Sequence, residues 1–81
     1  MSNKPLCTPI NIGFNNMLMS DKIVAIVSPD GAPIKRMVQE GREKGIIVDA
    51  TAGRRTRSVI FTNSQYIVLS ALMPDTLSQR L

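Results

Sequence analysis

The sequence predicts a small α+β domain with a largely antiparallel sheet, one central helix and a short C-terminal helix. Three observations predict it. The chain has 81 residues, the length of one domain. Short β-branched runs separated by turn residues occupy most of it, which is typical of short strands. One central segment has the apolar spacing of an amphipathic helix. The order is β-β-β-α-β-β-β-α, which favours an antiparallel sheet with helices beside it.

Two short strands are predicted first, after an N-terminal lead-in over residues 1–9. The lead-in has two prolines and no apolar period, so we expect it to be flexible. Residues 10–13 alternate apolar and polar side chains and predict a strand. Residues 14–16, Phe-Asn-Asn, predict a turn because asparagine tolerates left-handed backbone angles. Residues 17–19 open a second strand.

The third strand and the main helix follow. Residues 22–28 are a β-branched run and predict a strand with much of both faces buried. A helix is predicted over residues 33–44, with Ser28 or Asp30 as its N-terminal cap and Gly45 just beyond its end. Its apolar stripe consists of Ile34, Met37, Val38 and Gly41.

The second half predicts three strands and a last helix. Strand character resumes over residues 46–48, which lead into residues 49–51, and strand-like runs cover residues 57–62 and 66–72, with a hairpin turn at 62–65. A short helix starts at Pro74 and ends near Arg80–Leu81, where Leu77 and Leu81 form a small apolar face. The domain is therefore expected to cover residues 10–81.

The composition favours an anionic partner and limits the chemistry. The net charge is +4, and seven of the ten lysines and arginines lie between Lys35 and Arg57. Nucleic acid and an anionic membrane surface are the partners that such charge favours. Aromatic residues are only Phe14, Phe61 and Tyr66, so the core must be aliphatic.

The residue types and motifs argue against an enzyme. Histidine is absent, and no phosphate-binding glycine loop, metal-ligand spacing or nucleophile–base arrangement occurs. We therefore predict no catalytic residue, no metal, no cofactor and no small-molecule substrate. The single cysteine and the lack of a signal peptide or apolar membrane span indicate a cytoplasmic protein, with no membrane partner.

The sharpest local signal is the cluster Gly53-Arg54-Arg55-Thr56-Arg57. Three arginines within four residues repel one another, and arginine donates two hydrogen bonds at once to phosphate oxygens. The cluster also fits a solvated charged turn or a salt-bridge site between subunits. The nearby Asp49 is expected to orient Arg54 or Arg57 through a salt bridge, or to form a turn hydrogen bond.

The shortage of aromatic residues favours duplex DNA among nucleic acids. Proteins that bind single strands, and many that bind RNA, stack bases on exposed aromatic side chains. Three aromatic residues do not suffice for such a surface. A duplex held by its phosphates fits a surface of arginines better.

Several sequence blocks together resemble the RemA-like family of small bacterial regulators associated with extracellular-matrix genes. The resemblance covers about residues 10–81. The blocks occur in the family's order and spacing: Asn11-Ile12-Gly13, Ile26-Val27-Ser28-Pro29-Asp30, Ala32-Pro33-Ile34-Lys35-Arg36, Val48-Asp49-Ala50-Thr51, Gly53-Arg54-Arg55-Thr56-Arg57 and Gln79-Arg80-Leu81.

The resemblance implies a subunit like the LytTR-type DNA-binding domains, assembled into a homo-oligomeric ring, an octamer or similar. Such a ring is expected to curve double-stranded DNA and to control biofilm and extracellular-matrix genes in the nucleoid. The family's paired arginines correspond to Arg54 and Arg55, and a further basic position corresponds to Lys22, where lysine lacks the bidentate fork. Pro33 and Arg36 are expected near a subunit contact.

Arg57 and Thr56 would add phosphate contacts beside the arginine pair. The main rival is a protein-interaction scaffold, whose basic loop docks an acidic partner or a neighbouring subunit. An RNA-binding regulator is a third candidate.

Overall fold

The computed structural model describes residues 7–81 and has the predicted element order, but it contains two sheets where one was expected. Residues 1–6 of the predicted lead-in lie outside the described part. The smaller sheet is a hairpin of β1 (Pro9–Gly13) and β2 (Asn16–Met19). The remaining elements are β3 (Ile23–Val27), α1 (Ala32–Lys44), β4 (Ile47–Ala50), β5 (Ser58–Thr62), β6 (Ile67–Ser70) and α2 (Pro74–Ser78).

The larger sheet has the strand order β3-β5-β6-β4. The pairs β3–β5 and β5–β6 are antiparallel, whereas β4 and β6 are parallel. This parallel pair arises because the connection from β4 to β5 crosses the end of β6, so that β4 and β6 both run opposite to β5. The prediction of an α+β fold with a largely antiparallel sheet is confirmed, with this one exception.

The core is aliphatic, as predicted, and lies on both faces of the larger sheet. Ile60 and Val68 pack against the β1–β2 hairpin, which covers one face. Val59 and Leu69, on the opposite face, pack against α1. Neighbouring residues of β5 and of β6 point to opposite faces. These two central strands are therefore buried on both sides, and the domain has three layers.

The prediction that β3 is buried on both faces is wrong. β3 is an edge strand that pairs only with β5, and Val24 is 66% exposed. The predicted cap of α1 is also wrong, because the N-cap is Gly31 and no side chain caps it. Ser28 and Asp30 hydrogen-bond each other instead: the Ser28 hydroxyl donates to the Asp30 carboxylate (3.1 Å).

The two helices end at Lys44 and Ser78. Gly45, in the left-handed region (φ 72°), ends α1, and the N–H groups of Gly45 and Ile46 donate to the last turn as in a Schellman motif. In the predicted stripe of α1, Met37 is an exception and is largely exposed. α2 stops at Ser78, so Leu77 is buried and Leu81 is exposed, contrary to the predicted shared face.

Candidate functional site

The three arginines of the cluster lie on the connection between β4 and β5, residues 51–57, called the arginine loop below. It begins with a tight turn. The carboxylate of Asp49 accepts hydrogen bonds from the Thr51 hydroxyl (2.6 Å) and the Thr51 N–H (2.9 Å). These two hydrogen bonds lower the pKa of Asp49 below its ordinary value, with a smaller contribution from Arg42. Of the two roles considered for Asp49, the turn hydrogen bond is confirmed.

The turn itself has an unusual backbone. Ala52 and Gly53 both have positive φ, 53° and 78°, and the N–H of Arg54 donates to the Thr51 carbonyl (3.0 Å). This is the pattern of a type I′ turn, which normally takes glycine or asparagine at both central positions. Thr51 is buried, so the turn starts from a fixed residue.

The other end of the arginine loop is also fixed. The N–H of Arg57 donates to the carbonyl of Ser70 (2.8 Å), at the end of β6. Ser58, which follows, is fully buried and is the cross-strand partner of Ser70. Hydrogen bonds to the sheet therefore hold both ends of the loop while its centre faces solvent.

The side chains of Arg54, Arg55 and Arg57 are exposed, and Thr56 is half-buried. The guanidinium carbon of Arg54 lies 4.9 Å from the centroid of the Phe14 ring, at the tip of the β1–β2 hairpin. That distance is within the range of a cation–π contact. The arginine loop thus meets the hairpin at Arg54.

Arg55 and Arg57 line a different surface. Together with Thr56 they border an open cavity of about 250 Å³ between the end of β3 and the start of α2. Asp30 and Asp75 line the same cavity and bring negative charge to it. The three arginines are therefore not equivalent: Arg54 contacts an aromatic ring, whereas the other two share a cavity with carboxylates.

Lys22 lies away from the arginine loop. It directly precedes β3, and its carbonyl accepts a hydrogen bond from the N–H of Asn63 (2.9 Å) in the turn between β5 and β6. The arginine loop enters β5 at its other end. Lys22 is level with Asn63, so the six residue steps from Arg57 to Asn63 separate the two positions by roughly 20 Å along the strand, at about 3.4 Å per residue.

The two residues predicted near a subunit contact, Pro33 and Arg36, are exposed in the first turns of α1. That helix covers the face of the sheet opposite to the hairpin. A mainly apolar groove of about 310 Å³ lies on the hairpin side instead. Met17, Val48 and Tyr66 line it, and each is roughly half exposed.

Two features of the site were not predicted from the sequence. One is Phe14, which was recognised only as part of a turn. The other is Ser70, whose buried hydroxyl donates to the Ile12 carbonyl of β1 (2.7 Å) and accepts from the Leu72 N–H (3.1 Å). Both contacts of interest, Phe14 with Arg54 and Ser70 with Ile12, join residues that are far apart in the sequence, so local patterns carry no sign of them.

None of the helices in residues 7–81 has the length and apolarity that crossing a bilayer requires. Within the same residues, no three cysteine or acidic side chains come together in a group that would hold a metal ion.

Comparison with known families identifies the domain. The family model described as "Extracellular matrix regulatory protein A-like", or RemA-like, matches residues 10–81. The chain belongs to the RemA-like family. The resemblance inferred from the sequence blocks is therefore confirmed.

Curated relatives in the RemA-like family are similar over most of their length. A protein of Caldicellulosiruptor saccharolyticus is 54% identical over 80 residues, which are 99% of this chain and 79% of that protein. One of Alkaliphilus oremlandii is 60% identical over 72 residues, 89% of this chain and 77% of that protein. Another, of Halothermothrix orenii, is 56% identical over 72 residues, covering 89% and 86% of the two chains. All three are named "Putative regulatory protein".

Proposed function

We propose that this RemA-like protein is a transcriptional regulator that binds double-stranded DNA through the arginine loop. One observation carries the proposal: Arg54, Arg55 and Arg57 are exposed together on a loop that is hydrogen-bonded to the sheet at both ends. Arginine binds phosphate through paired hydrogen bonds, and a loop that is already ordered loses little entropy on binding. The names of the relatives support a regulatory role, and the family description supports extracellular-matrix genes as targets, to which the proposal adds biofilm genes.

In this proposal Arg54 and Arg55 make the main phosphate contacts, with Thr56 and Arg57 beside them. Lys22 adds a contact from the other end of β5. The separation along β5, roughly 20 Å, exceeds the width of the DNA major groove, about 12 Å. A duplex lying along β5 would therefore offer Lys22 and the arginine loop phosphates that are well separated on the DNA.

Assembly into a ring is the second part of the proposal. A few phosphate contacts give a Kd of only about 10⁻⁴–10⁻⁶ M at physiological salt, and linking several copies gains roughly 10²–10⁴ in affinity. The exposed edge strand β3 and the apolar groove beside Val48 and Tyr66 support association, because small domains often gain stability by burying such surfaces. Pro33 and Arg36 belong near a subunit contact in this proposal.

The ring would present one arginine loop from each LytTR-like subunit to DNA that curves around it. Sequence preference would then arise mainly from the cost of bending, which differs between DNA sequences. This accounts for specificity without a platform of aromatic residues that stack on bases.

The test is a salt titration of binding to a fluorescent DNA duplex, followed by anisotropy. We expect the logarithm of the binding constant to fall linearly with the logarithm of the salt concentration, by about 0.9 for each phosphate contact. Arg54→Ala and Arg55→Ala should lower both the affinity and this slope. Lys44→Ala removes the same charge from the last turn of α1, away from the arginine loop, and is the matched control; its affinity should stay close to that of the wild type.

Light scattering on the same variants separates the proposal from the scaffold alternative. If Arg54→Ala and Arg55→Ala keep the wild-type mass and lose DNA binding, the arginines contact DNA. If they lose the oligomeric mass as well, the loop is a protein interface and the DNA proposal is wrong. Binding that does not depend on salt, or that is stronger for an RNA of the same length, would also contradict it.

A further inference from the structure

The residue beneath Arg54 has no structural reason to be phenylalanine. Phe14 occupies the first position of the two-residue turn between β1 and β2, with φ 54°, and Asn15 follows with φ 65°. Turns of this kind favour asparagine, aspartate or glycine, because a bulky side chain is strained in the left-handed region. Phe14 does not belong to the core either, since it is 46% exposed. Neither turn geometry nor burial explains it.

The strained positions of the chain converge on Arg54. Among residues 7–81, the non-glycine residues with positive φ are Phe14, Asn15 and Ala52. The first two form the hairpin tip that contacts the Arg54 guanidinium, and Ala52 lies in the turn that directly precedes Arg54. Backbone strain of this kind persists where the surrounding structure enforces it, and it concentrates at functional sites.

The contact suits a side chain that must bind something else. The Phe14 ring meets the Arg54 guanidinium near its central carbon, 4.9 Å from the ring centroid. The five N–H donors of a guanidinium lie in its plane. A phenyl ring offers no oxygen or nitrogen acceptor, so its contact with the guanidinium leaves these donors available for a phosphate. The contact therefore restricts the rotamers of Arg54 without occupying its hydrogen-bonding groups.

The hairpin is itself held firmly enough to act as a support. The Asn16 side-chain amide donates to the Gly13 carbonyl (3.0 Å) and closes the turn. Further along β1, the Asn11 carbonyl accepts from the Arg80 guanidinium (2.7 Å), and the Ile12 carbonyl accepts from the Ser70 hydroxyl (2.7 Å). The hairpin tip thus keeps its place relative to the arginine loop.

We propose that Phe14 is a positioning residue that holds the Arg54 guanidinium in place for a DNA phosphate. The inference rests on the proposed function, since it assigns a role within the same DNA-binding surface. Phe14 acts through Arg54 and need not touch DNA. Arg55 and Arg57, which line the cavity with Asp30 and Asp75, do not depend on it.

The test combines three substitutions of Phe14, each in the wild-type and in the Arg54→Ala background. Phe14→Tyr keeps the aromatic face, Phe14→Leu keeps apolar bulk without it, and Phe14→Asn removes the ring while suiting the turn. Duplex affinity by anisotropy, Tm by circular dichroism and mass by light scattering are measured for each. The free energy of a cation–π contact at an exposed site corresponds to a change of about 2- to 5-fold in a binding constant. We therefore expect the loss of the Phe14 ring to lower the affinity for the duplex by about this factor for each subunit that contacts DNA.

Phe14→Tyr should bind within about 2-fold of the wild type, because tyrosine also offers an aromatic face. Phe14→Leu and Phe14→Asn should both bind more weakly. Phe14→Asn should nevertheless melt at the wild-type temperature or a few degrees higher, because asparagine tolerates positive φ. If Phe14 only stabilised the fold, Phe14→Asn would not bind the duplex more weakly while melting at the same or a higher temperature. In the Arg54→Ala background all three substitutions should leave the affinity unchanged.

Two results would overturn the inference while the proposed function stands. One is wild-type affinity in Phe14→Leu and Phe14→Asn when Arg54→Ala binds weakly. The other is an equal loss with and without Arg54, which would mean that Phe14 acts by another route. If the wild-type protein shows no salt-dependent binding to duplex DNA, the proposed function fails first, and the positioning role fails with it.

Discussion

The hydroxyl of Ser70 joins the two sheets by a buried hydrogen bond, and Ser70→Ala should be strongly destabilising. Ser70 is fully buried at the end of β6. Its hydroxyl donates to the Ile12 carbonyl of the hairpin and accepts from the Leu72 N–H. Alanine fits the same space but leaves both backbone groups without this partner.

The magnitude follows from the two groups that lose their hydrogen bonds. A buried polar group left unsatisfied costs about 1–3 kcal/mol. The Ile12 carbonyl belongs to a residue that is 2% exposed, so it should carry most of that cost. The Leu72 N–H is only partly buried, and water offsets some of its loss. We expect a total of about 2–4 kcal/mol, against a stability of roughly 4–12 kcal/mol for a domain of this size.

The assay is thermal and urea unfolding followed by circular dichroism at one fixed protein concentration, because association makes apparent stability depend on concentration. A loss of about 2–4 kcal/mol corresponds to a fall in Tm of roughly 8–30 °C in a domain of this length. Ser78→Ala removes an exposed hydroxyl that donates to the Asp75 carbonyl, and it is the control, with a change within about 0.5 kcal/mol. A change of about 0.5 kcal/mol shifts the Tm by about 2–3 °C. If the Tm of Ser70→Ala lies within that range of the control, the Ser70 hydroxyl does not stabilise the contact between the hairpin and the larger sheet as proposed.

Three further predictions concern single local features. Gly45→Ala should lower the stability by about 1–2 kcal/mol in urea unfolding, purely through its φ of 72°, since nothing lies within 4 Å of the added methyl group. Folding lowers the pKa of Asp49, so its hydrogen bonds to Thr51 stabilise the protein above the ordinary pKa of 3.8. This stabilisation is lost as the pH falls through the pKa of the folded protein, and the Tm falls with it. Asp49→Asn should therefore make the Tm depend less on pH in this acidic range. The hydrogen bond from Cys7 to the Asp21 carboxylate raises the pKa of the thiol, so Asp21→Asn should speed its alkylation by iodoacetamide near pH 8, and an unchanged rate would contradict that cause.

Much of the fold was predictable because it depends on local patterns. Apolar alternation and β-branched runs predicted all six strands in the right order, and Gly45 marked the end of α1 correctly. The position of a strand within the sheet has no such local sign. Residues 22–28 therefore looked like a strand buried on both faces, whereas β3 is at an edge and exposes Val24.

The candidate site was predictable in composition but not in arrangement. The arginine cluster is visible in the sequence, as are the turn residues around Phe14. Their contact requires the hairpin to lie across the sheet, and that depends on its packing against Ile60 and Val68 and on the hydroxyl of Ser70, which is far from both in the chain. Likewise, Lys22 and the arginine loop belong to one predicted surface, yet they lie at opposite ends of β5 because β3 and β5 are antiparallel.

The arrangement links the stability of the protein to the binding surface in a specific way. Phe14 and Ala52 hold unfavourable backbone angles on the two sides of Arg54, so the site itself lowers the stability of the domain. Two hydrogen bonds of Ser70 offset that cost. Its buried hydroxyl donates to the hairpin, and its carbonyl accepts from the N–H of Arg57, so the hairpin and the arginine loop are both fixed to the same end of β6. Substitutions that relax either turn should therefore stabilise the domain while weakening the proposed contact of Arg54 with phosphate. Loss of the Ser70 hydroxyl should impair both properties together, because the two turns then no longer share a common support.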